Sequence, residues 1–300
     1  MATPWIEPEL AGYQFLWTSI RTGPVEVYLA DAAYGDVTNL TRQCTADSHY
    51  AAWSPDGRQV TFTSDRDGTH NLYIMDDDGR NVRQLTHEKA PVVAGMQSFP
   101  ADGKWIYFGL FGKIDGPLMC RIRTDGSEFR VIGVGVDPAV SPDGSQIVYA
   151  RHLAAGHCLF AARTDGTNER QLTATPNPFF GVHPAWTPDG EAILYADRMD
   201  QALELFRIKP DGSARRQLTD LKLAATSPSV SPDGKWISFR VCDEVYWKDA
   251  ETSRRAYAER RSDKRPVWVM APDGGQAHVV ETLRYHTTID GSRAPMRMKR

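Results

Sequence analysis

Histidine is the residue type on which chemistry in this chain would turn. Eight are present, and an imidazole can hold a metal, move a proton or donate a hydrogen bond near neutral pH. His183 stands six residues before an Asp-Gly pair, as Tyr50, Met96, Asp137 and Ser227 do before theirs, and His286, four residues before Asp290-Gly291, is aligned with them as the start of the corresponding strand. His49 and Gln97 lie one residue to either side of that register. Imidazoles, a carboxamide and a carboxylate at one level could hold a divalent ion such as Mn²⁺ or Zn²⁺. They could equally grip a polar ligand through hydrogen bonds.

The elements that bring these positions to one level are set by a repeated turn. Trp53-Ser54-Pro55-Asp56-Gly57 recurs as Phe99-Pro100-Ala101-Asp102-Gly103, Val140-Ser141-Pro142-Asp143-Gly144, Trp186-Thr187-Pro188-Asp189-Gly190 and Val230-Ser231-Pro232-Asp233-Gly234. The aspartates are 46, 41, 46 and 44 residues apart, a period that belongs to a propeller or another repeat array. Proline fixes φ, aspartate caps its own backbone and glycine accepts a positive φ. Alternating runs such as Gln59-Val60-Thr61-Phe62 follow, as strands with two different faces do. A second turn, at Asp78-Gly79, Asp125-Gly126, Asp165-Gly166, Asp211-Gly212 and Asp273-Gly274, precedes a short strand ending in Gln-Leu-Thr in three repeats. Each repeat reads as a four-stranded antiparallel sheet, A to D, with tight A–B and C–D turns.

Residues 13–41 supply strands B, C and D without an A strand before them. His286-Thr287-Thr288-Ile289, ahead of Asp290-Gly291, is the expected A strand that completes this first blade. The predicted fold is all-β: a six-bladed propeller closed by a C-terminal strand, which removes free sheet edges. It is read as one domain over 1–300. Residues 1–10 form an N-terminal extension, 243–266 an insertion in the last blade and 293–300 a C-terminal tail. His49, His183 and His286 then start A strands beside the axis, His70, His152 and His157 flank B–C loops, and His87 sits in a D–A connection. The expected site is therefore the B–C and D–A face, where the insertion also emerges with Tyr246, Trp247, Arg254 and Arg255. Long insertions in compact domains are often binding loops.

The repeat resembles the TolB-type propeller repeat, a relative of the WD-repeat blade, over about residues 11–292. That resemblance implies the fold and leaves function open. Oligogalacturonate lyases share the repeat type. The likeness to them implies a cytoplasmic enzyme whose channel holds a metal through His49, Gln97, His183 and His286. The metal would neutralise a uronate carboxylate and acidify the α-proton. His152, His157 or Arg151 would take that proton, and the Arg254–Arg265 segment would pair with further carboxylates. The other reading is a non-catalytic propeller for a small polar or carbohydrate ligand, or for a protein partner, with Tyr50, Asp137, Tyr246, Trp247, Arg254 and Arg255 as ligand contacts.

A formal charge of −3 argues against a globally basic nucleic-acid binder. No apolar stretch is long enough to span a membrane. The opening residues lack a basic region followed by an apolar one, so a cytoplasmic protein is expected. Cys44, Cys120, Cys158 and Cys242 fall in different repeats, as free thiols of a reducing compartment would. Gly-x-Ser-x-Gly, P-loop and dinucleotide fingerprints are absent from the sequence.

Overall fold

The computed structural model describes residues 8–19, 23–32, 37–42, 45–113, 116–174, 177, 182–200, 202–242, 267–280 and 295–299. The chain enters through a 3₁₀ turn, Pro8–Gly12, into β1 (Tyr13–Ser19), β2 (Glu26–Asp31) and β3 (Val37–Asn39). The second blade is β4 (Ser48–Trp53), β5 (Gln59–Ser64), β6 (Asn71–Asp76) and β7 (Arg83–Gln84). The third is β8 (Val93–Ser98), β9 (Trp105–Phe111), β10 (Leu118–Arg123) and β11 (Arg130–Val134). The fourth is β12 (Val136–Val140), β13 (Gln146–Leu153), β14 (Gly156–Arg163) and β15 (Arg170–Gln171). The fifth is β16 (Ala185–Trp186), β17 (Ile193–Met199), β18 (Ala202–Ile208) and β19 (Arg216–Gln217). The sixth is β20 (Ala224–Val230), β21 (Ile237–Cys242), β22 (Val267–Met270) and β23 (His278–Val279). A single parallel bridge, Leu203 to Ala224, joins the fifth and sixth sheets.

The first blade is completed from the far end of the chain, as expected, but by a different stretch. β24 (Met296–Met298) pairs antiparallel with β1, Tyr13 opposite Met298 and Phe15 opposite Met296. The residues read from sequence as a tail thus contain the innermost strand, and the expected strand at 286–289 lies outside the described residues. The extension at 1–10 is also shorter than expected, since Leu10 is buried in the same core as Tyr13 and Met296. The insertion at 243–266 lies outside the described residues.

Successive side chains of a strand point to opposite faces, and central strands buried on both faces are apolar in a continuous run. Val60, Phe62, Tyr73 and Met75 pack on the first blade, whereas Leu72 and Ile74 pack on the third. Six apolar clusters among the described residues each join one pair of neighbouring blades. One of them joins Trp236, Val267 and Val269 of the sixth blade to Phe15, Trp17 and Met296 of the first. Leu85, Leu172 and Leu218 of the Gln-Leu-Thr strands are buried in these interfaces, each worth roughly 1.5–3 kcal/mol. The following threonines have local work. Thr86, Thr173 and Thr219 accept the backbone N–H of Leu72, Leu159 and Leu205, each at 2.9 Å. The arginine ahead of each motif ties blades together: Arg83 donates to Thr124 O at 2.6 Å, Arg170 to Pro210 O at 2.9 Å and Arg216 to Asp273 O at 2.8 Å.

The Ser-Pro-Asp-Gly turns hold themselves. Ser231 Oγ accepts from Trp236 N at 2.9 Å and donates to Asp233 at 2.7 Å, and Ser54, Ser141 and Thr187 repeat the pattern. In the C–D turns, glycine answers two demands. Gly79 sits at φ +84°, and a Cβ there would lie 2.5 Å from Leu40 O of the preceding blade. Gly166 likewise approaches Ile132 O.

Candidate functional site

The innermost strands converge on an axial cavity of about 410 Å³. What brings side chains to it is a shared distortion. Tyr50, Met96, Asp137, His183 and Ser227 all have positive φ, between 41° and 57°. The A–B pairing slips by one residue at Tyr50, Met96, Asp137 and Ser227, as a β-bulge does. A non-glycine residue held there costs on the order of 1–3 kcal/mol, and such strain gathers at functional sites. The register aligned from sequence is therefore a structural level of the ring.

Asp137 and His183, on adjacent blades, meet at this level. His183 Nδ1 lies 2.6 Å from Asp137 Oδ2, and both residues are more than nine-tenths buried. Gln97 donates its amide to Tyr50 O, while its buried Oε1 has no protein partner among the described residues. Three positions beyond the bulge the walls become aromatic: Trp53, Phe99 and Trp186 line the cavity, with Val140 and Val230 at the same level. Alanines 51, 52, 139 and 185 leave the bore open. The lining then continues to Pro55, Pro142, Pro188 and Pro232 of the A–B turns. From the first blade comes Arg297, whose guanidinium lies 3.9 Å from the Trp53 ring centroid. It donates to Gln14 Oε1 at 3.0 Å, to Gly57 O and to Asp77 Oδ2 at 2.8 Å.

Of the residues singled out in the sequence, Tyr50, Gln97, Asp137 and His183 line the cavity. His49 does not; its ring packs against His70, with centroids 5.6 Å apart. His286, Tyr246, Trp247, Arg254 and Arg255 lie outside the described residues. His152 and His157 face one another across the β13–β14 hairpin, centroids 4.8 Å apart. Burial and then His152 hold the His157 imidazole below its ordinary value. Arg151 is not placed to take a proton. It pairs with both carboxylate oxygens of Glu169, donates to Val134 O at 3.0 Å and lies over Phe160. Burial is the largest single influence and opposes its charge, but the Glu169 hydrogen bond and the charge interactions with Tyr149 and Glu169 together hold its pKa above the ordinary value.

The cavity extends away from the face expected to carry the site. The cavity is lined out to the A–B turns rather than by the B–C loops that carry most histidines. Sequence reasoning passed over Trp53, Phe99, Trp186 and Arg297. The first three were on view as the residues that precede each turn motif, whereas Arg297 has no such mark. Among the described residues, no group of three or more His, Cys, Asp or Glu side chains could hold a metal ion, and no helix is long and apolar enough to cross a membrane.

Comparison with known proteins agrees with this architecture. An uncharacterized protein of Agrobacterium fabrum is 28% identical over 153 residues, which cover 50% of this chain and 50% of that protein. The chain thus spans about half the length of that relative, and less of the TolB homologues of Chlorobaculum tepidum and Chlorobium luteolum that it also matches. Among solved structures, a putative TolB from Agrobacterium tumefaciens superposes with a TM-score of 0.69 at 18% identity, over 89% of this chain and 87% of that one. An oligogalacturonate lyase in complex with manganese gives 0.59 at 20% identity, over 89% and 73%. Likeness at such identities speaks to fold alone. The TolB beta propeller domain model, PD40, matches residues 2–179, and the chain belongs to that family.

Proposed function

We propose that the protein binds a small polar ligand of the carbohydrate class in its axial cavity. The observation that carries this reading is the lining. Trp53, Phe99 and Trp186 offer flat apolar surfaces, while Gln97, Asp137, His183 and Ser229 offer hydrogen-bonding groups around about 410 Å³. Ligand sites commonly combine aromatic walls with a few polar groups in this way. Sugar rings suit the combination, because one face is C–H and the rim is hydroxyl. The test is tryptophan fluorescence and calorimetry against neutral and uronate mono- and oligosaccharides. Binding weakened at least about tenfold, or 1.4 kcal/mol, in Trp53→Ala and Trp186→Ala, with unchanged circular dichroism, supports the reading. No binding across the panel rejects it.

A metal-assisted β-eliminating lyase on uronate oligosaccharides is the second reading. It is favoured by Gln97 and His183 sharing the wall of the cavity. The described residues do not assemble a full ligand set, however, since His49 packs away from the cavity and no three His, Cys, Asp or Glu side chains group together. Elemental analysis of the purified protein, with His183→Ala beside it, together with an ultraviolet assay for unsaturated uronate product, tests this reading. A cytoplasmic location is part of the proposal. It is supported by the free, buried thiols of Cys120 and Cys158, which suit a reducing compartment.

A further inference from the structure

The meeting of Asp137 and His183 does more than shape a wall. A neutral imidazole carries one N–H, and a carboxylate accepts it. With Asp137 against Nδ1, the proton belongs on Nδ1 and the lone pair on Nε2. Nε2 has no protein partner among the described residues and is not closed off from space. His183 borders the axial cavity and, with Asp137, a small void of about 10 Å³.

The surroundings favour that arrangement. The void is otherwise lined by Met96, Val136, Ala150 and Val182, with His157 as its other titratable group. Burial keeps His157 neutral near neutral pH, so it does not compete as a cation for Asp137. Arg297, on the cavity wall, is committed to Asp77, Gly57 and Gln14. Both members of the pair are carried on positive-φ backbone, Asp137 at 55° and His183 at 41°. Tyr50, Met96 and Ser227 share this backbone on their own blades, and it is at Asp137 and His183 that two such side chains meet.

We propose that Asp137 and His183 form an acid–base dyad, with His183 Nε2 as general base toward a hydroxyl of the ligand and Asp137 as the positioning residue that fixes its tautomer. The inference rests on the axial cavity being the ligand site. The ligand class is a hydroxylated ring that lies on Trp53 or Trp186 and turns a hydroxyl toward the inner end. In the step, that O–H gives its proton to Nε2 and keeps the electron pair on oxygen. The imidazolium formed is stabilised by the Asp137 carboxylate. Return of the proton to that same oxygen restores ligand and site together, so atoms and charge balance with no oxidant or co-reactant.

The test needs no ligand, which separates it from the binding experiment. Nitrogen NMR of the ¹⁵N-histidine-labelled full chain, with His183→Gln for assignment, reads the tautomer. Carbethoxylation by diethyl pyrocarbonate, followed by peptide mass analysis, reads the lone pair. The expected result is Nδ1–H at His183 with acylation of Nε2 in the folded protein, slowed at least about tenfold in Asp137→Asn. A wild-type His183 with its proton on Nε2, or one inert to the reagent while folded, overturns the proposal. The wild-type readings decide even where Asp137→Asn does not fold. A failed saccharide panel beside an Nδ1–H, reactive His183 sinks the ligand reading and leaves the dyad standing.

Discussion

Two glycines of the second blade separate the demands that the repeat places on its turns. Gly68 and Gly79 have nearly the same φ, +86° and +84°, yet a Cβ at Gly68 would meet nothing within 4 Å whereas one at Gly79 would strike Leu40 O. Gly68→Ala should cost only the left-handed backbone, about 1–2 kcal/mol. Gly79→Ala adds the clash with the first blade and should cost roughly 3–5 kcal/mol. Urea denaturation of the two variants measures the difference, and equal losses would mean that the blades do not meet there. Histidines supply a second test at this scale. Burial, and then His49 for His70 and His152 for His157, lowers both imidazoles below 6.5. A group whose folded pKa is depressed contributes fully above its unfolded value and loses that contribution as pH falls. In the window below about pH 6.5 the unfolded chain binds more protons, so stability should fall with acid. The double variant His70→Asn/His157→Asn should flatten that slope in thermal melts, and an unchanged slope would assign the acid sensitivity elsewhere.

At the scale of the element, β24 is three residues long and is held by more than its ladder. Arg297 reaches the A–B turn of the second blade at Gly57 O and its C–D turn at Asp77, with its guanidinium over Trp53. Arg297→Ala should destabilise by roughly 2–4 kcal/mol, because it removes the hydrogen bonds to Asp77, Gly57 O and Gln14 and the packing over Trp53 together. A double-mutant cycle with Asp77→Asn should return about 1–2 kcal/mol of coupling, and additive losses would reduce the pair to a surface contact. This strand also shows where the sequence stopped being legible. The Pro-Asp-Gly turns could be read because their causes are local: a fixed φ, a carboxylate two residues from an N–H, a positive φ. The pairing of Met296–Met298 with Tyr13–Phe15 spans the whole chain and follows no turn signal. Asp290-Gly291 drew the expectation upstream because it imitates the local pattern. The site divides in the same way. The register of Tyr50, Met96, Asp137 and His183 was visible as spacing, and the bulges give it substance. The direction in which the cavity runs was not visible. Histidines crowd the long loops because the tight turns have no room for them, and so the count pointed to the end of the bore opposite the A–B turns that line the cavity.

At the scale of the whole molecule, the ring closes through the sixth-to-first interface and the β24–β1 ladder. The interface core holds Trp17, Tyr28, Val267, Val269 and Met296 together, and Tyr13 donates to Asp233 at 2.5 Å across it. Deleting residues 295–300 removes Met296 from that core, Arg297 from its three acceptors and the ladder partner of Tyr13–Phe15. The inner edge of β1 would then be open, which is the kind of edge that recruits another chain. Such a truncation should melt at least about 10 °C lower, a shift that corresponds to several kcal/mol in a protein of this size, and should elute partly as oligomer. A smaller chain with fewer contacts would show the first effect for trivial reasons, so the decisive variant is a rearrangement. Because Met298 lies opposite Tyr13, a short turn can join a transplanted Pro295–Lys299 segment directly to Gly12. That permutant builds the first blade from contiguous chain, like the other five, and keeps every pairing of β24. It should regain the lost melting temperature and run as a monomer. If it stays as unstable as the truncation, then it is the covalent path from the sixth blade, and not the ladder itself, that holds the ring shut.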